Sequence, residues 1–335
     1  DEFAPLLGEQ SPLSLNQLIS LKNIDRSNNF KNIKPLFRTY ETFTQLHRSN
    51  SLHKYYILEF ASPNDQILDL VSELKLLPEI ENVEFNYKME AFLVPNDNYY
   101  SDQWALNNTG QAVSYNGNNV GTPGCDVDAE RAWNITTGNP NVVIAILDTG
   151  IDLDHPDLAS ELVAGYDFVD NDTNANDGNM HGTACGSIAA GTTNNGIGVA
   201  GVCWDCSLMP VKVLSDQGFG DFSDIINGVI WASDNGANVI SMSLGGGGYQ
   251  SSFDNAVTYA NDNGTIVIAA SGNDNGSISY PAAYEDCVSV GAMSPCNERK
   301  SPSSCDGENF WGSNYGNGLD FVAPGVRIHS ATIGG

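Results

Sequence analysis

The chain has 335 residues, 14 of them Lys or Arg and 41 Asp or Glu, for a formal charge of −27. That balance argues against a nucleic-acid-binding surface or docking on anionic lipid, both of which need Lys and Arg. No apolar run approaches the ~18–20 residues of a membrane-spanning helix, while 41% hydrophobic residues suffice for ordinary cores, and the length suggests about two domains.

The acidity is uneven. Residues 1–98 hold 9 basic and 14 acidic residues (−5), and residues 99–335 hold 5 and 27 (−22). Residues 1–50 are polar with weak periodicity. Residues 55–60 read as a strand by their aromatic and apolar content. Ile67, Leu70, Val71 and Leu74 then fall at the i, i+3, i+4, i+7 spacing of an amphipathic helix, and residues 80–85 alternate like a half-buried strand. Strand, helix and strand make a small α+β unit. Its exit is the turn around Pro95, and the spacing places the domain boundary after Asn98.

The second region has a different grammar. Short apolar runs recur at 142–147, 211–214, 239–242, 265–270 and 288–290, separated by helix-like stretches at 222–232 and 253–261. The last of these is stopped by Asn263-Gly264. Apolar strands alternating with helices predict a doubly wound α/β fold, a parallel sheet covered on both faces. Ligand sites in such folds lie beyond the carboxyl ends of the strands.

Three of those ends are polar: Asp148-Thr149-Gly150, Ser243-Leu244-Gly245 and Ser271-Gly272-Asn273. His181 opens a small-residue stretch that contains Cys185 and reads as a buried helix. A lone Asp after a strand is usually a turn or cap residue and a lone His is usually structural. Here the fold rule brings Asp148, His181 and Asn273 to one face of the sheet, and coincidence is the poorer account.

Seven cysteines cannot all pair within one chain. Six lie in loop-like or strand-edge contexts, which predicts one buried thiol, Cys185, and up to three disulfides in an oxidising compartment. Cys203-Trp204-Asp205-Cys206 precedes a strand instead of opening a helix and lacks a second ligand pair. It therefore reads as a structural disulfide, not a redox pair or a zinc site. The glycine run at 245–248 lacks the Lys-Ser/Thr that would complete a phosphate cradle.

Five motifs stand in a telling order. Asp148-Thr149-Gly150-Ile151-Asp152 with His155-Pro156-Asp157-Leu158 resembles the aspartate segment of the subtilisin-like serine proteases. Asp177-Gly178-Asn179-Met180-His181-Gly182-Thr183 resembles their histidine segment, and Ala269-Ala270-Ser271-Gly272-Asn273 their oxyanion segment. Tyr280-Pro281-Ala282 and Phe321-Val322-Ala323-Pro324-Gly325-Val326 complete the series. The resemblance covers roughly residues 99–335 and implies a subtilisin-like peptidase domain. It implies that residues 1–98 are a ferredoxin-like propeptide, a folding chaperone and inhibitor whose tail, 89–98, lies in the cleft as a product-like strand. An unrelated accessory domain is the alternative.

The resemblance further implies a secreted serine endopeptidase acting on protein and peptide substrates, its signal segment already removed. His181 would take the nucleophile's proton, Asp148 would hold the imidazole, and Asn273 would donate to the oxyanion. Gly182 would let the backbone turn directly into the helix. Ser243, Leu244 and Gly245 on one side, and Ala270, Ser271 and Gly272 on the other, would pair with substrate backbone. Ser279 would floor the pocket for the residue before the cut, and the absence of a carboxylate in residues 245–250 implies broad or apolar specificity. Calcium is the implied cofactor, held by the Asn195 side chain, the carbonyls of Thr193, Ile197 and Val199, the Asp157 carboxylate and Asp102. The acidic stretch 167–178 is either a solvated loop or a second calcium site. It is not an EF-hand, because a loop begun at Asp170 has Ala175 sixth and His181 twelfth. The family's nucleophile segment, Gly-Thr-Ser-x-Ala, does not occur in these residues. The expectation is that it lies on a missing C-terminal segment, the rival being a catalytically silent binding module.

Overall fold

The computed structural model describes residues 30–37, 44–60, 71–72, 74–76, 80–86, 93–113 and 121–334. The chain divides into two compact units, Asp1–Glu90 and Ala91–Gly335.

In the first unit, β1 (Phe30–Pro35) pairs antiparallel with β2 (Tyr56–Phe60). Between them α1 (Gln45–Ser49) is opened by a reciprocal cap. The Thr44 hydroxyl accepts from His47 N at 3.3 Å, and His47 Nδ1 accepts from Thr44 N at 3.2 Å. The strand expected at 55–60 is therefore present, but its described partner lies upstream, in sequence that carries little apolar periodicity. Residues 80–86 form no strand and are mostly exposed on both alternating sets, so period-2 patterning there has no sheet to face. Residues 71–72 and 74–75 are helical and Leu74 is buried, while Ile67 and Leu70 of the expected helix lie outside the described residues. Much of what a ferredoxin-like fold would require also lies outside them.

The second unit is built on a sheet ordered β10-β8-β7-β6-β3-β5-β4, with β9 alongside β8. The strands are β3 (Val143–Asp148), β4 (Tyr166–Asp167), β5 (Ser207–Lys212), β6 (Val239–Met242), β7 (Ile266–Ala270), β8 (Cys287–Ser294), β9 (Glu298–Arg299) and β10 (Phe321–Pro324). Every pairing is parallel except β8 with β9. Alternation along β3 shows why both faces must be covered. Ala145 and Leu147 enter one core with Met209, Val211, Ile240 and Met242, whereas Ile144 and Ile146 enter another with Leu208 and Ala190. After the short α2 (Ala129–Trp133), α3 (His181–Ala190) seals the second core, and α4 (Phe222–Asp234) and α5 (Ser251–Asp262) seal the first. Phe253, Ala256, Val257 and Ala260 form the buried stripe of α5 at helical spacing. The doubly wound expectation is met, with β5 beginning four residues earlier than its apolar run. The order of strands reverses at β3, which is flanked by β5 and β6. A crevice forms at such a switch point, and Asp148 is the last residue of β3.

The units divide after Glu90, not after Asn98, because residues 93–98 are tied into the second unit. Leu93 N donates to Asn134 Oδ1 at 3.2 Å and Tyr99 N to Gly198 O at 3.0 Å. Trp104 is fully buried, and its Nε1 donates to Val326 O at 2.9 Å. Disulfides join Cys203 to Cys206 and Cys296 to Cys305, leaving Cys125, Cys185 and Cys287 as thiols. Two of the six cysteines expected to pair thus remain unpaired. Cys287 begins β8 inside the core, where burial, then Asp320, pushes its thiol up to about 12. Cys125 points its thiol at the carbonyl of Ser294, 3.9 Å away. Among the described residues no helix is long and apolar enough to cross a membrane.

A fully buried ion pair fixes the turn after β9. Lys300 Nζ donates to Asp306 Oδ1 at 2.8 Å, Ser304 Oγ at 3.2 Å and Ser301 O at 3.1 Å. Burial alone would raise the Asp306 carboxyl, but bonds from Lys300, Ser304 and Glu308 N outweigh it and hold the group below its ordinary range. Its stabilising contribution is therefore present above the unfolded pKa and lost as pH falls through the folded one. Lys300→Met is expected to cost about 3–5 kcal/mol in urea unfolding at neutral pH, with most of that recovered in Lys300→Met/Asp306→Leu. A single variant that unfolds at the wild-type urea concentration would show that the pair does not hold the turn.

Candidate active site

Asp148 is wholly buried at the carboxyl end of β3. Its Oδ1 accepts from Thr149 N at 2.7 Å and faces His181 Nδ1 at 2.7 Å. The ring is the first residue of α3, and the chain reaches it through Met180, held in the left-handed region at φ 106°. The hydrogen bond to Asp148 raises the pKa of His181, burial opposes that, and the charges of Asp148 and Asp177 add to the rise. An imidazole fixed at Nδ1 by a buried carboxylate presents Nε2 as a proton acceptor. Gly182 serves a different purpose from the one its position suggested. The turn into the helix is made at Met180, and a Cβ on Gly182 would lie 2.0 Å from Gly150 O. Its absence lets the 149–150 turn lie directly on the helix start. Cys185 Sγ lies within 4.8 Å of the Asp148 and His181 ligand atoms, and burial first, then Asp148, pushes the thiol up to about 12. It is a protonated neighbour, not a nucleophile.

A cleft of about 520 Å³ opens beside His181 and includes Ser243, Leu244 and Gly245 in its wall. Leu214, Phe219, Phe222, Phe253 and Tyr280 supply its apolar surface, and no charged side chain lines it apart from the titratable His181. Of the other expected edge, Ala270 is exposed at the end of β7, Gly272 is half-buried, and Ser271 turns inward to donate to Asn314 O at 3.2 Å. Ser279 is half-buried beneath that edge and its Oγ accepts from Asn314 Nδ2 at 3.1 Å. The Asn273 side chain is exposed and makes no hydrogen bond among the described residues, so its amide is free to donate to a ligand. The loop that carries it is pinned by Asn314, whose Oδ1 accepts from Asp274 N at 2.9 Å and Gly276 N at 3.0 Å. Nothing in the sequence pattern pointed to Asn314. Lys212, by contrast, did leave a signal, being a charged residue in an apolar run. It is buried and donates to Thr149 O at 2.5 Å and to Asp216 Oδ1 at 2.7 Å.

The loop at 192–199 wraps a second buried carboxylate. Asp157 Oδ1 accepts from Asn195 Nδ2 at 2.8 Å and Oδ2 from Val199 N at 2.9 Å. Gly198 sits at φ +57°, and a Cβ there would stand 1.9 Å from Asp157 Oδ2. Thr193 and Ile197 lie on the same loop, and Asn195 Oδ1 accepts from Ile197 N at 2.9 Å. A second buried carboxylate beside this loop is that of Asp97. Asp102 is exposed, whereas Asp97 is buried and its Oδ2 accepts from Asn194 N at 2.8 Å. Asp97 Oδ1 is buried without a partner, and among the described residues no Lys or Arg pairs with Asp97 or Asp157. Burial raises the Asp157 carboxyl, hydrogen bonds from Val199 and Asn195 oppose it, and the charge of Asp97 raises it further. Two buried acids with one orphaned oxygen are a donor set for a hard cation. Asn96 N donates to Asn194 Oδ1 at 3.3 Å, so residues 96 and 97 of the expected product-like strand lie against this loop, while 89–92 lie outside the described residues. In the acidic stretch 167–178, Asp167 Oδ1 accepts from Val169 N and Asp170 N, Asp172 Oδ1 from Asn174 N, and Asp177 from five donors.

Residues 139–334 match the model of the subtilase family. The chain is 39% identical over 266 residues to a thermophilic serine proteinase of Bacillus sp. strain AK1, covering 79% of this chain and 60% of that protein. It is 40% identical over 205 residues to thermitase of Thermoactinomyces vulgaris, covering 61% of this chain and 70% of that protein. A solved structure, described as proteases from Pseudoalteromonas arctica PAMC 21717, superposes with a TM-score of 0.57 at 33% identity, covering 69% of this chain and 72% of that one.

The Asp148–His181 bond has a direct signature. Ring-proton NMR titration is expected to place His181 above its ordinary 6.5, and Asp148→Asn to bring it down. Because the folded value is the higher one, the bond's stabilisation is fully present below the unfolded pKa and lost as pH rises through the folded pKa. Thermal melts between about pH 5 and 9 should show that loss in the wild type and a flatter profile in Asp148→Asn. A ring titrating at or below 6.5 in the wild type would contradict the geometry.

Proposed function

The chain belongs to the subtilase family, and on that premise we propose that it is the larger part of a secreted, calcium-dependent serine endopeptidase preceded by its propeptide. The observation that carries the reading is the 2.7 Å bond between a wholly buried Asp148 and His181 at the switch point of the sheet. Asp148 holds the Nδ1 proton and with it the tautomer that leaves Nε2 basic. Nε2 takes the proton of a serine hydroxyl as that oxygen attacks the scissile carbonyl, then returns it to the departing amine. The Asn273 amide donates to the carbonyl oxygen as it gains charge; loss of such a donor costs about 2.7–4 kcal/mol of transition-state stabilisation. The serine is assigned to a Gly-Thr-Ser-x-Ala segment that these 335 residues do not contain.

Substrate backbone pairs with Ser243–Gly245 on one side and Ala270–Gly272 on the other, and Ser279 floors the pocket before the cut. The apolar, carboxylate-free cleft favours apolar or aromatic side chains over basic ones. Disulfides at Cys203–Cys206 and Cys296–Cys305 suit secretion. The first unit is read as the propeptide, cleaved ahead of Asp97 so that this carboxylate stays with the catalytic unit. Calcium is assigned to Asp97, Asp157, Asn195 and the carbonyls of Thr193, Ile197 and Val199. It would neutralise the two acids and fasten residues 96–97 to the 192–199 loop. Its contribution is to stability, and no bond is made or broken on it.

Full-length protein is expected to hydrolyse casein, to be blocked by a serine-directed sulfonyl or phosphonyl fluoride, and to lose roughly 10⁴-fold or more in kcat with His181→Ala. Binding of peptides without turnover, or turnover indifferent to those reagents, would sink the endopeptidase reading. Calcium is tested separately by calorimetry. A chelator should lower the melting temperature, saturating calcium at about 100 Kd should add about 2.7 kcal/mol, and Asp97→Asn should abolish most of the difference. Identical melts with and without chelator would remove calcium from the assignment.

A further inference from the structure

We propose that Asp177 is a positioning residue of this site, a single carboxylate that sets the strand end carrying Asp148 and the helix start carrying His181 relative to each other. The proposal rests on the endopeptidase reading for its kinetic consequence but not for its geometry.

Asp177 is buried, and both of its oxygens are fully engaged. Oδ1 accepts from Thr149 Oγ1 at 2.9 Å, Asn179 N at 2.8 Å and Met180 N at 3.1 Å. Oδ2 accepts from Thr183 N at 3.0 Å and Thr183 Oγ1 at 2.7 Å. Three of these donors, Met180 N and the two of Thr183, flank His181. One belongs to Thr149, the residue after Asp148, whose own N–H already holds Asp148 Oδ1. The Thr149 hydroxyl also accepts from Gly182 N at 3.0 Å, so it links the strand end to the residue after His181. A plain helix cap would bind only α3 and its approach. The bond to Thr149 Oγ1 comes from a different element, and that makes Asp177 a bridge between the two. It also clamps the left-handed turn at Met180, a conformation that a bulky residue keeps only when its surroundings enforce it.

Asp177 carries its charge into the site as well. Burial alone would raise its carboxyl, but the bonds from Thr183, Asn179 and Met180 outweigh that and hold it below its ordinary range, so it is ionised. Among the described residues no Lys or Arg pairs with it. The other groups around His181 are Asp148 from β3, Cys185 from α3, and the Lys212–Asp216 pair, which lies against Thr149 and Gly178. Cys185 stays protonated, and the pair is neutral overall, so Asp148 and Asp177 are the two negative charges that favour the imidazolium.

Three variants of full-length protein separate positioning from mere folding. Asp177→Asn should lower kcat about tenfold or more with little change in KM, and its His181 ring resonance should titrate at lower pH than wild type. Thr149→Val keeps the charge and cuts the bridge, so it should lower kcat while leaving the His181 pKa close to wild type, and Thr149→Ser should restore kcat. Wild-type kcat in Thr149→Val, or no rescue by Thr149→Ser, would overturn the bridge. An unchanged His181 titration in folded Asp177→Asn would overturn the charge. Should Asp177→Asn fail to fold, the Thr149 pair decides. The NMR titration needs no turnover. A His181 pKa that falls as expected in a protein inactive towards every peptide would therefore sink the endopeptidase reading and leave the positioning role standing.

Discussion

An ionised carboxylate removed from water is held only by the donors supplied to it, and that constraint shapes the second unit. Asp148, Asp157, Asp177 and Asp306 are all essentially buried in a chain with far more acids than bases. Each is met differently. Asp148 receives one backbone N–H and the ring of His181; Asp177 receives five donors from a strand end and a helix start; Asp306 receives the ammonium of Lys300. Asp148 Oδ2 and Asp97 Oδ1 both lack a partner, but Asp148 has the His181 ring on its other oxygen, whereas among the described residues no cationic side chain pairs with Asp97 or Asp157. The same rule thus separates a carboxylate bound to an imidazole, one held by five donors, one held by an ammonium and a pair proposed to hold a cation, although all begin as aspartates.

The surface and the cleft divide the remaining work. The negative charge is spread over solvated loops, while the wall beside His181 is made of Leu214, Phe219, Phe222, Leu244, Phe253 and Tyr280. That wall carries no fixed charge of either sign. Where the acidity does reach the site, it does so through Asp148 and Asp177, whose charges raise the proton affinity of the imidazole.

What could be read from the sequence was whatever depends on local pattern. The apolar runs of β3, β6 and β7 announced a sheet buried on both faces, and the polar residues at their ends announced where to look. Asp148, His181, Ser243 and Asn273 were visible for that reason. What escaped was settled by contacts distant in sequence. Asp97 and Asp102 look alike in a row of polar residues, and only the folding of Asn194 against the first of them chooses between them. Gly182 looked like a hinge, but its role is to clear space for Gly150 O, a carbonyl on another element. Asn314 carries no local signal, and its value comes entirely from the 273–276 loop it pins. Residues 80–85 show the converse error, an alternation with no strand beside it among the described residues. The cysteines fail likewise, since Cys287 sits in a strand context yet lies in a core that offers it no partner.

The bond from Trp104 to Val326 joins residues 222 positions apart, and Gln103 donates to Ala200 across 97. Together with a sheet whose central strand must wait for partners from both later halves of the chain, these contacts make closure a late event. Loop entropy is lost before the contacts that offset it can form, which is the condition for slow folding. During synthesis, Trp104 emerges long before its acceptor exists, and its indole N–H stays with water until residue 326 has left the ribosome. The net charge of −27 acts before the fold exists, because like charge on unfinished chains opposes their association during that wait.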